Sequence, residues 1–171
     1  MGLDTLLDRV QHYVLKQPSK LVFEYLENDS GGMTTLSYQM LHQKALSVAN
    51  FLLQKGVLSG DRVLLLYAPG LEFISSFLGC LYAGVIAVPA YPPMKSRLIQ
   101  NFDRLEKITR DSDPKMILCD TVVSDVMSAT GKLDADVKSD YRVLDLSYYE
   151  TADLTYAVEP AIPSIDSDSV A

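Results

Sequence analysis

Side chains that could act in catalysis are scattered along this sequence and form no complete catalytic motif. Asp103, Glu106 and Asp111 lie among arginines and lysines at helical spacing. This pattern predicts a solvated helix face with i,i+3 and i,i+4 charge pairs, which is a simpler interpretation than paired catalytic carboxylates. His12 and His42 fall in predicted helices, where surface or partly buried histidine is expected. Neither a phosphate-binding glycine loop with a lysine nor a nucleophile elbow occurs, so we assign no catalytic residue to this chain.

The two cysteines, Cys80 and Cys119, both lie inside apolar runs. Such positions predict buried free thiols in a reducing compartment, with a disulfide as the alternative. The sequence has only 2 histidines and no Cys-x-x-Cys spacing. We therefore predict no metal site.

The stretch GVIAVPAYPP, residues 84–93, gives the best indication of a binding site. It begins as a buried strand, which we expect to end at Val88 or Pro89 because proline has no N–H for a strand ladder. In open parallel sheets, ligands bind outside the carboxyl ends of the strands. The loop that follows is stiffened by its prolines. We predict that Tyr91, Pro92 and Pro93 form the wall of a ligand cleft, and a plain strand-to-helix connection is the alternative.

Predicted strands and helices alternate along the chain. Helical spacing and turn residues predict helices over 3–16, 38–55, 71–83, from 98 to a break at Asp113-Pro114, and over 121–129. Apolar runs predict strands over 21–26, 33–36, 62–67, 85–88, 115–119 and 141–146, and the first two read as a hairpin. The later strands alternate with helices, which predicts right-handed crossovers and an α/β fold with a mainly parallel sheet and flanking helices.

Composition limits the possible functions. The chain has 171 residues, 48% of them hydrophobic and 22% charged, with a net charge of -7. This balance is typical of a globular domain in the cytoplasm and lacks the basic footprint of a nucleic-acid-binding protein. The first residues lack a secretory signal pattern. Residues 71–90 are almost uncharged, but glycine and proline interrupt them, so we predict a buried helix and strand, with no membrane span.

Three stretches together resemble the N-terminal part of acyl-adenylate-forming enzymes. They are LSYQMLHQKALSVANFLLQKGVLSGDRVLLL, PGLEFISSFLGCLYAGVIAVPAYPP and RLIQNFDRLEKITRDSDPKMILCD. The AYPP ending, followed by Arg97 and Arg104, is most similar to the fatty acyl-AMP ligase branch. The resemblance implies that residues 1–171 are an N-terminal subdomain of the adenylate-forming fold, with residues 151–171 as a polar connecting segment.

The same resemblance implies a function for the full enzyme. It would use ATP and Mg²⁺ to convert a fatty acid into an acyl adenylate and pass the acyl group to an acyl carrier protein. The family's phosphate loop, ribose-binding aspartate and catalytic lysine are absent from this sequence. We therefore expect a fragment that ends just before the phosphate loop, binds no cofactor, is inactive alone and self-associates through an uncovered face. The alternatives are an acyl-CoA synthetase, a peptide-synthetase adenylation domain or a non-catalytic binding module.

Overall fold

A parallel sheet separates the helices of this chain into two layers. The computed structural model describes residues 5–26, 32–93, 98–130, 143, 146–152 and 154. In chain order the elements are α1 (Leu6–Lys16), β1 (Leu21–Leu26), β2 (Met33–Ser37), α2 (Tyr38–Gln54), β3 (Arg62–Leu66), α3 (Leu71–Tyr82), β4 (Ile86–Ala90), α4 (Leu98–Ser112), β5 (Met116–Cys119), α5 (Thr121–Thr130) and β6 (Tyr148–Glu150).

The described part of the main sheet has the strand order β4-β3-β5-β6, and its neighbours pair in parallel. Successive residues of a strand point to opposite faces, so each strand contributes to two cores. Val63 and Leu65 pack in the core that includes residues of α1, α2 and α3. Leu64 and Leu66 pack in the second core with residues of α4 and α5. The predicted α/β fold with a mainly parallel sheet is confirmed.

The N-terminal hairpin and the helix starts follow from local sequence. Strands β1 and β2 pair antiparallel as a separate two-stranded sheet, as predicted. Thr5 and Asp8 form a capping box at α1, and the Ser37 hydroxyl accepts the Met40 N–H at 3.2 Å at the start of α2. Gly84 has a φ of 68° just after α3, a conformation that favours glycine.

Strand β4 extends further than predicted. It continues to Ala90, and Pro89 lies in register with Leu65 of β3. The predicted end at Val88 or Pro89 is wrong because β4 is at an edge of the described sheet. An edge strand tolerates proline where the missing N–H would face away from the neighbouring strand.

The predicted strand over 141–146 lies mostly outside the described residues. Of those residues the structure describes Val143 and Leu146, and neither is in a strand. The strand that pairs with β5 is Tyr148–Glu150, where Ile117 lies in register with Tyr148. Apolar composition suggested the earlier segment, but Val143 is buried in the second core as a packing residue.

The apolar stretch 71–90 forms α3 and β4, which confirms its interpretation as a helix and a strand. In the described ranges, no helix is both long and apolar enough to cross a membrane.

Candidate functional site

An open groove lies where β3 and β4 end at their carboxyl termini. We call it the β3–β4 groove. Its volume is about 450 Å³, and its strand-end wall consists of Tyr67, Ala68, Pro69, Pro89, Ala90 and Tyr91. Helices α3 and α4 complete the lining with Phe73, Arg104 and Ile108. The groove occupies the edge of the parallel sheet where ligands of α/β proteins bind.

Tyr91 forms the outer rim of this groove. The residue is 79% exposed. The Arg104 guanidinium donates from Nη2 to the Tyr91 backbone carbonyl at 2.5 Å, and its Cζ lies 5.6 Å from the Tyr91 ring centroid. Of the other two predicted wall residues, Pro92 is half-buried and Pro93 is buried. Tyr91 is therefore the predicted residue that lines the groove, and Arg104 attaches it to α4.

Tyr67 forms the inner wall and turns its hydroxyl into the protein. The hydroxyl lies 2.8 Å from Ser76 Oγ and 3.0 Å from Thr151 Oγ1. Burial raises the pKa of Tyr67 above its ordinary range, so the phenol stays protonated at neutral pH. The Phe73 ring packs edge-on against Tyr67 with centroids 6.3 Å apart. This wall offers aromatic surface for binding and no general base.

Asp120 occupies the neighbouring crevice, between the ends of β3 and β5. The chain leaves β3 toward β4 on one side and leaves β5 toward β6 on the other, which makes this the topological switch point. Asp120 Oδ2 accepts the Ala68 N–H at 2.6 Å, and Oδ1 accepts the Val123 N–H at 2.8 Å. Both carboxylate oxygens are thus used within the protein. Our sequence analysis missed Asp120, although an aspartate between a strand and a helix is a recognisable N-cap signal.

The charged face of α4 differs in one respect from its prediction. Glu106 is buried, with 6% of its surface exposed, so its assignment to a solvated face is wrong. Its carboxylate accepts the Val143 N–H at 3.0 Å and pairs with Arg110 four residues later. A backbone donor from a distant segment therefore explains why this carboxylate is buried. The predicted i,i+4 pairing is present.

The surroundings of the histidines and cysteines indicate structural roles for these residues. His12 and His42 are partly buried on helices, as predicted, and His42 Nδ1 lies 2.9 Å from Tyr82 Oη. Cys80 and Cys119 are buried free thiols, as predicted. Burial raises the pKa of each thiol to about 12, so neither is a thiolate nucleophile at neutral pH.

The potential metal ligands of the described residues form no group of three or more histidine, cysteine, aspartate or glutamate side chains. The arrangement as a whole is suited to binding a ligand against a stiff, largely apolar wall, with one guanidinium at its edge.

The parallel sheet, its flanking helices and the groove at the strand ends match the N-terminal part of adenylate-forming enzymes. A fatty acid AMP ligase from Legionella pneumophila superposes with a TM-score of 0.73 and 34% identity over 90% of this chain. The family model of the AMP-binding enzymes matches residues 10–171. The chain belongs to the AMP-binding enzyme family.

Similar curated proteins have related names. A medium-chain-fatty-acid–[acyl-carrier-protein] ligase, JamA of Moorena producens, is 40% identical over 78% of this chain. Human Disco-interacting protein 2 homolog B is 32% identical over 86% of the chain. The chain spans 23% of the length of the first protein and 10% of the second. It likewise covers 24% of the Legionella structure.

Proposed function

We propose that this chain supplies the N-terminal part of a fatty acyl-AMP ligase that activates a fatty acid for transfer to an acyl carrier protein. Residues 1–171 would form its N-terminal subdomain, with residues 151–171 as a polar connecting segment. The observation that carries this proposal is the 40% identity to a medium-chain-fatty-acid–[acyl-carrier-protein] ligase. A Legionella pneumophila fatty acyl-adenylate ligase in complex with acyl adenylate and pyrophosphate, 33% identical with a TM-score of 0.71, supports it.

The reaction has two chemical steps. A carboxylate oxygen of the fatty acid attacks the α-phosphorus of ATP, and pyrophosphate leaves as the acyl adenylate forms. The thiol of the carrier protein's phosphopantetheine then attacks the acyl carbonyl carbon, and AMP leaves. Mg²⁺ would neutralise phosphate charge during the first step. We place the contacts to ATP and Mg²⁺ outside this sequence, because it lacks the phosphate loop of the family.

The contribution of this chain is scaffold and binding surface. Tyr91 is our candidate for substrate contact, since it lines the groove and is largely exposed. Pro92 and Pro93 stiffen the loop behind it. We assign no catalytic residue to this chain and expect the purified 171-residue chain to release no pyrophosphate from ATP and a long-chain fatty acid. Pyrophosphate release by that chain would contradict this assignment.

The proposal is tested on the protein encoded by the whole reading frame that contains this sequence. Incubated with ATP, Mg²⁺ and medium- and long-chain fatty acids, it should release pyrophosphate and form acyl adenylate, detected by mass spectrometry. The acyl group should pass to a phosphopantetheinylated carrier protein. Efficient acyl transfer to coenzyme A would instead support an acyl-CoA synthetase, and no adenylate with any acid would support a non-catalytic module.

A peptide-synthetase adenylation domain is a second candidate. The structure of McyG A-PCP complexed with phenylalanyl-adenylate is 25% identical and superposes with a TM-score of 0.74 over 95% of this chain. Amino-acid-dependent pyrophosphate exchange by the whole protein, without exchange on fatty acids, would favour this candidate.

We also propose a cytoplasmic location and self-association of the purified chain. Several large apolar side chains are exposed, among them Leu15 at 83% and Leu26 and Leu58 at 69% each. Strand β4 is at an edge of the described sheet, and an open strand edge can pair with another chain. Light scattering at increasing concentration should show dimers or larger species, and a strictly monomeric chain would contradict self-association.

A further inference from the structure

We propose that an apolar groove with a basic rim, between α1 and α3, binds an acidic amphipathic helix of a partner protein. We call it the α1–α3 groove, and its volume is about 350 Å³. Its walls include Leu6, Arg9 and Tyr13 of α1, Phe23 of β1, and Ile74 and Phe77 of α3. The described linings of this groove and of the β3–β4 groove have no residue in common, so the inference does not depend on the proposed function.

Helix α1 leaves apolar side chains uncovered along this groove. Leu6 is 52% exposed and Tyr13 is 38% exposed, although both line the same groove. They lie seven positions apart on α1, so they share a face of the helix and are separated by about 10 Å along its axis. An exposed apolar surface of this kind in a concave setting is typical of an interaction site.

Two stacked tyrosines close one end of the groove. The Tyr13 ring lies on the Tyr38 ring with centroids 5.1 Å apart and an angle of 21° between their planes. The Tyr38 N–H, at the start of α2, donates to the Lys20 carbonyl at 3.1 Å. This end is therefore arranged before a partner arrives, which lowers the entropic cost of binding. Tyrosine and arginine are also the side chains that often dominate binding energy at protein interfaces.

The rim of the groove is positively charged. Among the described lining residues, Arg9 alone carries a charge. Lys16 is exposed and lies seven positions after Arg9, on the same face of α1. Lys20 is exposed next to the tyrosine end, because its carbonyl accepts the Tyr38 N–H. Within the described part of the chain, no carboxylate lies within 4.0 Å of any of these three cations.

The charge and the spacing of this surface indicate its occupant. A partner helix can place large apolar side chains at i, i+3, i+4 and i+7 into the groove and carboxylates along its flank. Because both helices rise about 1.5 Å per residue, carboxylates two turns apart on the partner would match Arg9 and Lys16. An anionic bilayer is a poorer match, because the chain as a whole has a net charge of -7 and would be repelled.

The experiment uses a labelled synthetic peptide of about fifteen residues, with leucines at i, i+3, i+4 and i+7 and glutamates beside them. It is titrated with the protein encoded by the whole reading frame, and fluorescence anisotropy reports binding. One matched peptide has lysines in place of the glutamates, and another has the same composition without an apolar face. We expect the glutamate peptide to bind about tenfold more tightly than either. Equal affinity for the glutamate peptide and either matched peptide would overturn the proposal.

Charge reversals locate the rim. Arg9→Glu and Lys16→Glu should each weaken binding of the glutamate peptide about tenfold and should not weaken binding of the lysine peptide. Lys107→Glu is the matched control, because it makes the same change at an exposed position of α4, which packs on the other face of the sheet. Affinity should stay within about twofold in that variant. Equal losses in all three variants would overturn the proposal, because they would show a diffuse charge effect.

A pair of leucines on α1 tests the apolar part of the groove. Leu6→Ala should weaken binding about fivefold, because the lost side chain can no longer be covered by the partner. Leu15→Ala is the matched control, since Leu15 is 83% exposed on the same helix and is not among the lining residues. Its affinity should stay within about twofold of the parent. A loss in Leu15→Ala as large as that in Leu6→Ala would overturn the groove assignment.

Two further measurements test other occupants. Sedimentation with phosphatidylcholine vesicles that contain phosphatidylserine should show no binding that Arg9→Glu abolishes, and binding of that kind would favour a membrane and overturn the proposal. Peptide binding by the 171-residue chain without binding by the whole protein would also overturn it, because another part of the same protein would then cover the groove. None of these outcomes depends on acid activation, so the proposed function can fail or stand separately.

Discussion

Gly79 of α3 lies so close to Val48 of α2 that a Cβ atom placed on Gly79 would stand 2.5 Å from the Val48 Cβ. It would also stand 2.9 Å from the backbone carbonyl oxygen of Ala45. The Val48 Cβ and the Ala45 carbonyl oxygen are both fixed to the backbone of α2, so neither can move away unless the helix moves. The backbones of α2 and α3 are therefore nearly in contact where the helices cross. The crossing covers the face of the main sheet that carries Val63 and Leu65.

We predict that Gly79→Ala destabilises the protein by about 1 to 3 kcal/mol, because the added methyl forces α2 and α3 apart. This loss should appear although alanine is the better helix former. Urea unfolding followed by circular dichroism measures it. Gly70→Ala is the control, since a Cβ there would meet its nearest neighbour, the Ala68 carbonyl oxygen, at 3.9 Å. Equal effects of the two changes would contradict the crossing argument.

Glu106 gives a second prediction. Glu106→Ala should cost about 1 to 3 kcal/mol, because it leaves the buried Val143 N–H without its acceptor. Arg110→Ala removes the other partner of Glu106. Because the Arg110 side chain is 65% exposed, this change should cost less than about 1 kcal/mol. Thermal unfolding of both variants checks the order. A larger stability loss in Arg110→Ala than in Glu106→Ala would show that the ion pair contributes more to stability than the buried hydrogen bond does.

Glu106 also shows what the sequence could and could not predict. The helix that carries it, the neighbouring strands and the parallel arrangement followed from local patterns, because apolar periodicity and turn residues act over a few positions. The partner of Glu106 lies 37 residues away in sequence. No pattern local to α4 indicates that Val143 brings its N–H to this carboxylate. Local sequence patterns therefore cannot predict burial that depends on a distant backbone donor.

The groove was predicted to the same extent. The proline-rich loop at the end of β4 indicated a ligand-facing wall, and Tyr91 lies on the lining of the groove there. Arg104, Tyr67 and Phe73 reach the groove from other elements, so their contribution depends on how α3 and α4 pack on the sheet. Sequence spacing alone does not determine that packing.

The buried thiols predict a loss of stability at alkaline pH. Burial raises the pKa of Cys80 to about 12 from an ordinary value of 9.0, and the pKa of Cys119 also reaches about 12. Below pH 9 both states keep the proton, so stability is complete. Between pH 9 and 12 the unfolded chain loses the proton while the native thiol keeps it, so stability falls by at most about 1.4 kcal/mol per pH unit for each thiol.

Urea unfolding in the presence of a reductant measures this slope. The pH is varied from roughly 7.5 to 10.5, the range over which a protein thiol begins to ionise. Cys80→Ala should be less stable throughout and should lose stability less steeply above pH 9, because one of the two titrating thiols is gone. An identical slope in the variant would show that Cys80 does not titrate differently in the two states.

Asp120 provides the final prediction, because both of its carboxylate oxygens accept backbone N–H groups from different elements. Asp120→Asn keeps the shape but leaves one acceptor, so either Ala68 or Val123 would face an amide NH₂. We expect a loss of about 1 to 3 kcal/mol in unfolding free energy. Asp125→Asn makes the same charge change at an exposed position of α5 and should stay within about 0.5 kcal/mol of the parent. Equal stability of the two variants would show that the bridge between β3 and α5 contributes little to the fold.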